Sequence, residues 1–144
     1  MKGYLLDTST CVAIFRGNRN VAAKLNEAGK EKCFVSPIVV AELLFGAYRS
    51  KLVEENLKQT RAFVSEVQIL PFEESLETFA KERARLWAEG KKIEDFDLLI
   101  GCAAKAAGLT IVTHNVKHFN HIEDLNIEDW IDNVLPLKRQ MPMG

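Results

Sequence analysis

The chain has 144 residues, 47% of them hydrophobic and 27% charged, ordinary globular proportions that exclude a disordered or fibrous protein and allow a full core. Lys plus Arg total 19 against 20 Asp plus Glu, a net charge of −1. No basic excess advertises nucleic-acid binding, although the distribution of charge, not its sum, decides that question.

No apolar run reaches the roughly 18 residues a membrane helix requires. The apolar stretch before Asp7 is too short for a signal peptide, so a soluble cytoplasmic protein without a membrane partner is expected. Cys11, Cys33 and Cys102 are odd in number and form no CxxC pair. Their apolar surroundings predict buried free thiols in a reducing compartment.

Tyr4-Leu5-Leu6 reads as a short buried strand. Thr8 or Ser9 is placed to cap the helix that follows, which Gly17 ends. Val21, Ala22 and Leu25 mark a second helix closing near Gly29. Cys33–Ser36 reads as a strand, and Pro37 as the first residue of a helix running to about Ser50. Glu54–Val67 is amphipathic, "VQILPF" is a strand stopped by Pro71, and Glu73–Glu89 is a long charged helix broken by "GKK". Asp97–Ala107 is a helix of small residues closed by Gly108, and Leu109–Thr113 is a β-branched strand. A short element follows, and "LNIEDW" adds an edge strand.

No repeat, linker or low-complexity tract interrupts this order, so one domain over residues 1–144 is expected. Strands alternating with helices predict an α/β fold with a parallel sheet and right-handed crossovers. Ligands of such sheets collect outside the carboxyl ends of the strands. Asp7 and Thr113 both stand at such ends.

Three carboxylates interrupt apolar runs: Asp7 after "YLL", Glu42 within "PIVVAELLFG" and Asp97 before "LLIGCAA". Each alone has a plain structural reading, as a helix cap, a wet helix face or a charge favoured at a helix N-terminus. Together they imply more. Unpaired buried carboxylates are costly, and no basic residue lies close in sequence to Asp7 or Glu42. Acids meeting at one cleft repel each other unless a cation joins them, and Mg²⁺ and Mn²⁺ prefer oxygen ligands.

"YLLDTS", "VVAELLFGA", "FDLLIGCAAKAAGLTIVTHN" and "HF" resemble, in order and over nearly the whole chain, the motifs of PIN-domain ribonucleases. The similarity is greatest to the VapC type, the toxin of VapBC toxin–antitoxin pairs. The resemblance implies a PIN-like α/β/α sandwich around a mainly parallel sheet of four to five strands. It implies a metal-dependent endoribonuclease that uses Mg²⁺ or Mn²⁺ and cleaves phosphodiester bonds of RNA, such as tRNA or rRNA, with a metal-activated water. Asp7, Glu42 and Asp97 match the family's metal-binding and catalytic acids. Thr8, Ser9, Thr113 and Asn115 match residues that orient those acids from behind. A homodimer and a VapB-like antitoxin are the implied protein partners. Pro37–Ser50 and Glu54–Val67 carry Leu44, Phe45, Tyr48 and Phe63, apolar residues that either form the antitoxin groove or belong to the core.

The chain departs from the pattern after its last long strand. Many relatives carry a fourth acid there, at the position of Asn115 or of His118. Asn115 can offer an oxygen, and His118 is a weak ligand, a phosphate contact or a surface residue. Asp95 offers another carboxylate or is a solvated loop residue. Arg16, His114 and His118 are candidate substrate contacts, with Arg19, Lys91, Lys92 and Lys117 nearby in sequence. Two alternatives use the same residues: a PIN nuclease of RNA processing without an antitoxin, and a PIN module that binds without catalysis. A receiver-type signalling module is disfavoured, because "YLLDTS" carries one acid rather than a pair and "IVTHNVKHF" lacks the matching Lys.

Overall fold

Tyr4–Leu6 (β1) is short and apolar, and Leu5 and Leu6 are fully buried. That is the signature of a strand covered on both faces. In the computed structural model, which describes residues 3–132, β1 is the centre of a five-stranded parallel sheet. Its other strands are Cys33–Val35 (β2), Gln68–Ile69 (β3), Thr110–Val112 (β4) and Ile127–Glu128 (β5), in the order β3-β2-β1-β4-β5. Leu5 sits opposite both Phe34 and Ile111. The expected fold class is therefore found, although each strand is only two or three residues long.

The helices are Thr8–Phe15 (α1), Arg19–Ala28 (α2), Pro37–Tyr48 (α3), Val53–Glu66 (α4), Leu76–Ala88 (α5), Asp95–Ala107 (α6) and Val116–Phe119 (α7). The chain moves one way from β1 to β3 and the other way from β3 to β5. Right-handed crossovers then put α1–α4 on one face and α5–α7 on the other. The direction reverses between β1 and β4, whose carboxyl ends form the topological switch point where open α/β sheets bind ligands.

Several local details differ from expectation. The first helix is capped by Asp7, not by Thr8 or Ser9; the Asp7 side chain accepts from the Thr10 amide. The charged helix begins at Leu76, because Glu73–Ser75 forms a separate 3₁₀ turn. The helix that carries Asp97 starts two residues early, so Asp95 is its first residue rather than a loop position, and it pairs with Arg83. Phe63 is not exposed: it is buried edge-on against Phe15, with ring centroids 5.6 Å apart. All three cysteines are buried and free.

Two contacts fix the face that carries α6. Gly101 lies one helical turn after Asp97, and a Cβ there would collide with Ile122 Cδ1 and come within 3.1 Å of Phe119 Cδ1. The absent side chain lets fully buried Phe119, and with it α7, lie directly on α6. Beside this contact, buried Glu82 of α5 accepts from Arg85 Nε at 2.7 Å and from the Glu123 amide at 3.0 Å, with Lys105 Nζ of α6 at 3.5 Å. Arg85 also donates to the His121 carbonyl at 2.7 Å. Burial opposes the Glu82 charge, but the Arg85, Glu123 and Lys105 donors outweigh it and hold the carboxyl below its ordinary value. Glu82→Ala leaves Arg85 without its main partner and should destabilise by about 1.5–3 kcal/mol at neutral pH. A lowered folded pKa gives stability that is present above the ordinary Glu value and lost as pH falls through the folded one. The gap between wild type and variant in urea denaturation should therefore close in acid.

Candidate metal centre at the carboxyl end of the sheet

Asp7 follows β1 directly, and its amide donates to the Val112 carbonyl at 3.0 Å, a bond that continues the β1–β4 pairing. The side chain is thereby fixed at the sheet's upper edge, 4% exposed. Its oxygens are held from below. Oδ1 accepts from Ser9 Oγ at 2.7 Å and from the Thr10 amide at 3.1 Å, while Oδ2 accepts from the Thr113 hydroxyl. Thr10, buried and overlooked in the sequence, donates its own hydroxyl to the Val112 carbonyl at 3.0 Å and locks α1 to β4.

Glu42 arrives on α3, one position before buried Leu43. The Thr8 hydroxyl donates to its Oε1, which ties the second acid to the residue beside the first. Asp97 is the third residue of α6 and stands partly open, with 26% of its side chain exposed. Asp7, Thr8, Ser9, Glu42, Asp97 and Thr113 are thus gathered at one edge from four separate segments.

The electrostatics follow from this crowding. Burial pushes the Asp7 carboxyl above its ordinary value, against the hydrogen bonds from Thr113, Ser9 and Thr10. Burial also raises Asp97; the negative charges of Asp7 and Glu42 raise it further, and His118 opposes them. Among the described residues no Lys or Arg forms an ion pair with any of the three acids. A set of hard oxygen donors with unbalanced charge is the chemistry that suits a divalent cation. The acids are not drawn fully together. Among the described residues the His, Cys and acidic ligand atoms that all lie within 4.8 Å of one another are those of His114, Asp129 and Asp132.

The segment after β4 supports the edge from above. The Asn115 amide donates to Thr113 Oγ1 at 2.9 Å, so its observed role is a backbone one; its side chain is exposed. The His114 amide donates to Ser9 Oγ at 3.2 Å, and its ring Nδ1 lies 3.0 Å from Asp129 Oδ2. Asp129 in turn accepts from the Ile131 amide at 2.9 Å, which makes this pair a clamp between the β4 loop and the chain after β5. Sequence reasoning overlooked Asp129; an acid between Ile127 and Trp130 was its only signal. His118 Nδ1 stands 3.7 Å from Asp97 Oδ2. Arg16 lines a groove of about 460 Å³ with Glu42, Phe45 and Arg49, next to the acids rather than among them. Lys91 pairs with Glu89, and Arg19, Lys92 and Lys117 are exposed.

Comparisons with known proteins agree with this architecture. The PIN-domain family model matches residues 4–125. The tRNA(fMet)-specific endonuclease VapC of Shigella flexneri is 30% identical over 131 residues, spanning 90% of this chain and 99% of that protein. The ribonuclease VapC2 of Rickettsia felis is 36% identical over 135 residues, spanning 88% and 97%. Among solved structures, DNA-bound VapBC from Salmonella typhimurium superposes with a TM-score of 0.84 at 30% identity over 90% of this chain and 99% of that one. VapBC2 of Rickettsia felis, bound to a promoter DNA fragment, gives 0.82 at 34% identity over 90% and 99%. Matched along nearly its whole described length in sequence, fold and order of elements, the chain belongs to the PIN-domain family and resembles its VapC ribonucleases.

Proposed function

We propose that this chain is a divalent-cation-dependent endoribonuclease, the toxin of a type II toxin–antitoxin pair of the cytoplasm. The observation that carries the reading is the meeting of Asp7, Glu42 and Asp97 at the switch point with two raised carboxyls and, among the described residues, no Lys or Arg partner. A nuclease of this kind needs such a charge deficit, and a structural ion pair would have cancelled it.

In this reading Asp7, Glu42 and Asp97 hold Mg²⁺ or Mn²⁺. The cation, when bound, lowers the pKa of a coordinated water and polarises a phosphoryl oxygen. The chain's own residues do the positioning. Thr113, Ser9 and the Thr10 amide hold both Asp7 oxygens, and Thr8 holds Glu42. This order is fixed before substrate arrives, which is what makes an electrostatic site effective. Arg16 beside Glu42 and Lys117 after the Asn115 turn are exposed cations in reach of a backbone phosphate. Such contacts position RNA without reading its sequence. Two relatives are named for cleavage of tRNA(fMet), which supports a structured RNA such as tRNA or rRNA as substrate.

The antitoxin belongs over α3 and α4. Phe45 and Tyr48 are 64% and 59% exposed there, beside the groove that ends at Glu42. An apolar antitoxin segment on these rings places a basic side chain within reach of the acids, where it replaces the cation's charge. The solved VapBC assemblies support that partner, and a homodimer of the toxin is part of the same proposal.

Purified protein incubated with total cellular RNA and Mg²⁺ should release discrete fragments with 5′-phosphate ends. Asp7→Asn should reduce cleavage by at least about 100-fold, and Thr113→Val, which removes a support of the Asp7 carboxylate, by about 10–100-fold. Full activity in Asp7→Asn would sink the assignment.

A second expectation concerns stability. Asp7 and Asp97 bind protons more tightly folded than unfolded. Their destabilising effect is therefore absent below the ordinary carboxylate value and complete above the raised folded value. Cation-free protein should lose stability as pH rises through that window, and Asp7→Asn should lose less. Mn²⁺ at about 100 times its dissociation constant should restore about 2.7 kcal/mol at neutral pH, a Tm increase of roughly 5–10 °C. The absence of any response to Mn²⁺ or Mg²⁺ would favour the binding module without catalysis.

A further inference from the structure

His114 and His118 both stand near an acid, but in different ways. His114 Nδ1 is 3.0 Å from Asp129 Oδ2, a normal hydrogen bond. His118 Nδ1 is 3.7 Å from Asp97 Oδ2, too long for one. His118 Nδ1 and Asp97 Oδ2 are neighbours that do not bond each other directly.

The packing holds that spacing in place. Asp97 and Gly101 share a face of α6, one turn apart, and α7 lies on Gly101 through buried Phe119. His118 is the residue before Phe119, so seating Phe119 on Gly101 delivers the imidazole beside Asp97. Arg85, through the His121 carbonyl, and Glu82, through the Glu123 amide, fasten the chain just beyond α7. The His118 side chain is 57% exposed, and among the described residues Asp97 is its one charged neighbour within ion-pair distance.

We propose that His118 is a nitrogen ligand of the cation site formed with Asp97, and that it sets the metal preference of that site toward Mn²⁺ over Mg²⁺. The inference rests on the reading of the acidic cluster as a cation site. Two ligand bonds of about 2.1 Å are together long enough to bridge the 3.7 Å between these atoms. A carboxylate and an imidazole facing one space, without bonding each other, form a mixed oxygen–nitrogen pair. Mg²⁺ demands hard oxygen ligands and gives up water reluctantly, whereas imidazole suits the transition metals. The carboxylates alone would favour neither ion so strongly.

Pulsed electron paramagnetic resonance of Mn²⁺ bound to the full chain tests this, because a coordinated imidazole nitrogen imprints ¹⁴N modulation on the Mn²⁺ signal. The modulation should be present in wild type and in His114→Ala, and absent in His118→Ala and His118→Asp. Titration calorimetry should show Mn²⁺ affinity falling at least about tenfold in His118→Ala, the lower end of what losing even an indirect metal partner does. His118→Asp should shift the preference toward Mg²⁺. Modulation that survives His118→Ala but vanishes in His114→Ala would place the ion at His114, Asp129 and Asp132 and overturn the proposal. Mn²⁺ bound by oxygen alone, with RNA still cleaved, would overturn it while leaving the nuclease intact. Failure of Mn²⁺ to bind wild type at all would remove the cation site itself.

Discussion

The burial of one carboxylate governs the rest of this structure. Asp7 sits at the end of the central strand, where the sheet is deepest, and a charge there is unfavourable unless its lone pairs are used. Three donors use them: Thr113 just after β4, Ser9 from the first turn of α1, and the Thr10 amide. Each bond also joins two elements, so the same contacts that tolerate the charge set the angle between β1, α1 and β4. As an N-cap, Asp7 starts α1 as well. Structural and functional readings of this residue are therefore not rivals: the capping geometry is what presents the carboxylate at the sheet's edge.

Around that fixed point the other acids are held more loosely, and in a graded way. Glu42 is tied to the first acid by Thr8. Asp97 is partly open and, among the described residues, no hydrogen bond reaches its side chain; it owes its place to the packing of α6 against α7 and α5. Repulsion from Asp7 and Glu42 acts on the least constrained of the three. A cation entering such a site meets one rigid ligand and others that are able to adjust, which suits ions of differing size and coordination demand.

The three acids were legible in the sequence because each breaks an apolar run, and the order of elements was legible because Gly and Pro punctuate clear periodicities. Thr10, Asp129 and Glu82 were not. Each acts through a partner distant in sequence: Thr10 through Val112, Asp129 through His114, Glu82 through Glu123 and Lys105. Nothing in a local pattern records which helix face meets which loop. The same limit explains Phe63, whose burial depends on where Phe15 falls. It also explains Asp95: "GKK" marks a break, but Arg83 on the neighbouring helix stands opposite the new helix's first residue.

A protein that keeps an unbalanced acidic cluster is less stable without a partner for it, and this gives the site two ways of being satisfied. Under the proposed function a divalent cation would neutralise the charge and leave coordination positions for water and phosphate. A basic side chain from the proposed partner would neutralise the same charge and leave none. Activity and inhibition would then draw on one electrostatic deficit, and the two occupants would exclude each other without any conformational switch. The exposed ring of Phe45 lines the same groove as Glu42, and exposed Tyr48 follows it on α3. A protein docked on them therefore approaches the cluster from the α3 side, while His118 and the α6–α7 contact flank it from the other. The apolar surface and the acidic edge are adjacent parts of one helix, so binding on the first delivers a side chain to the second.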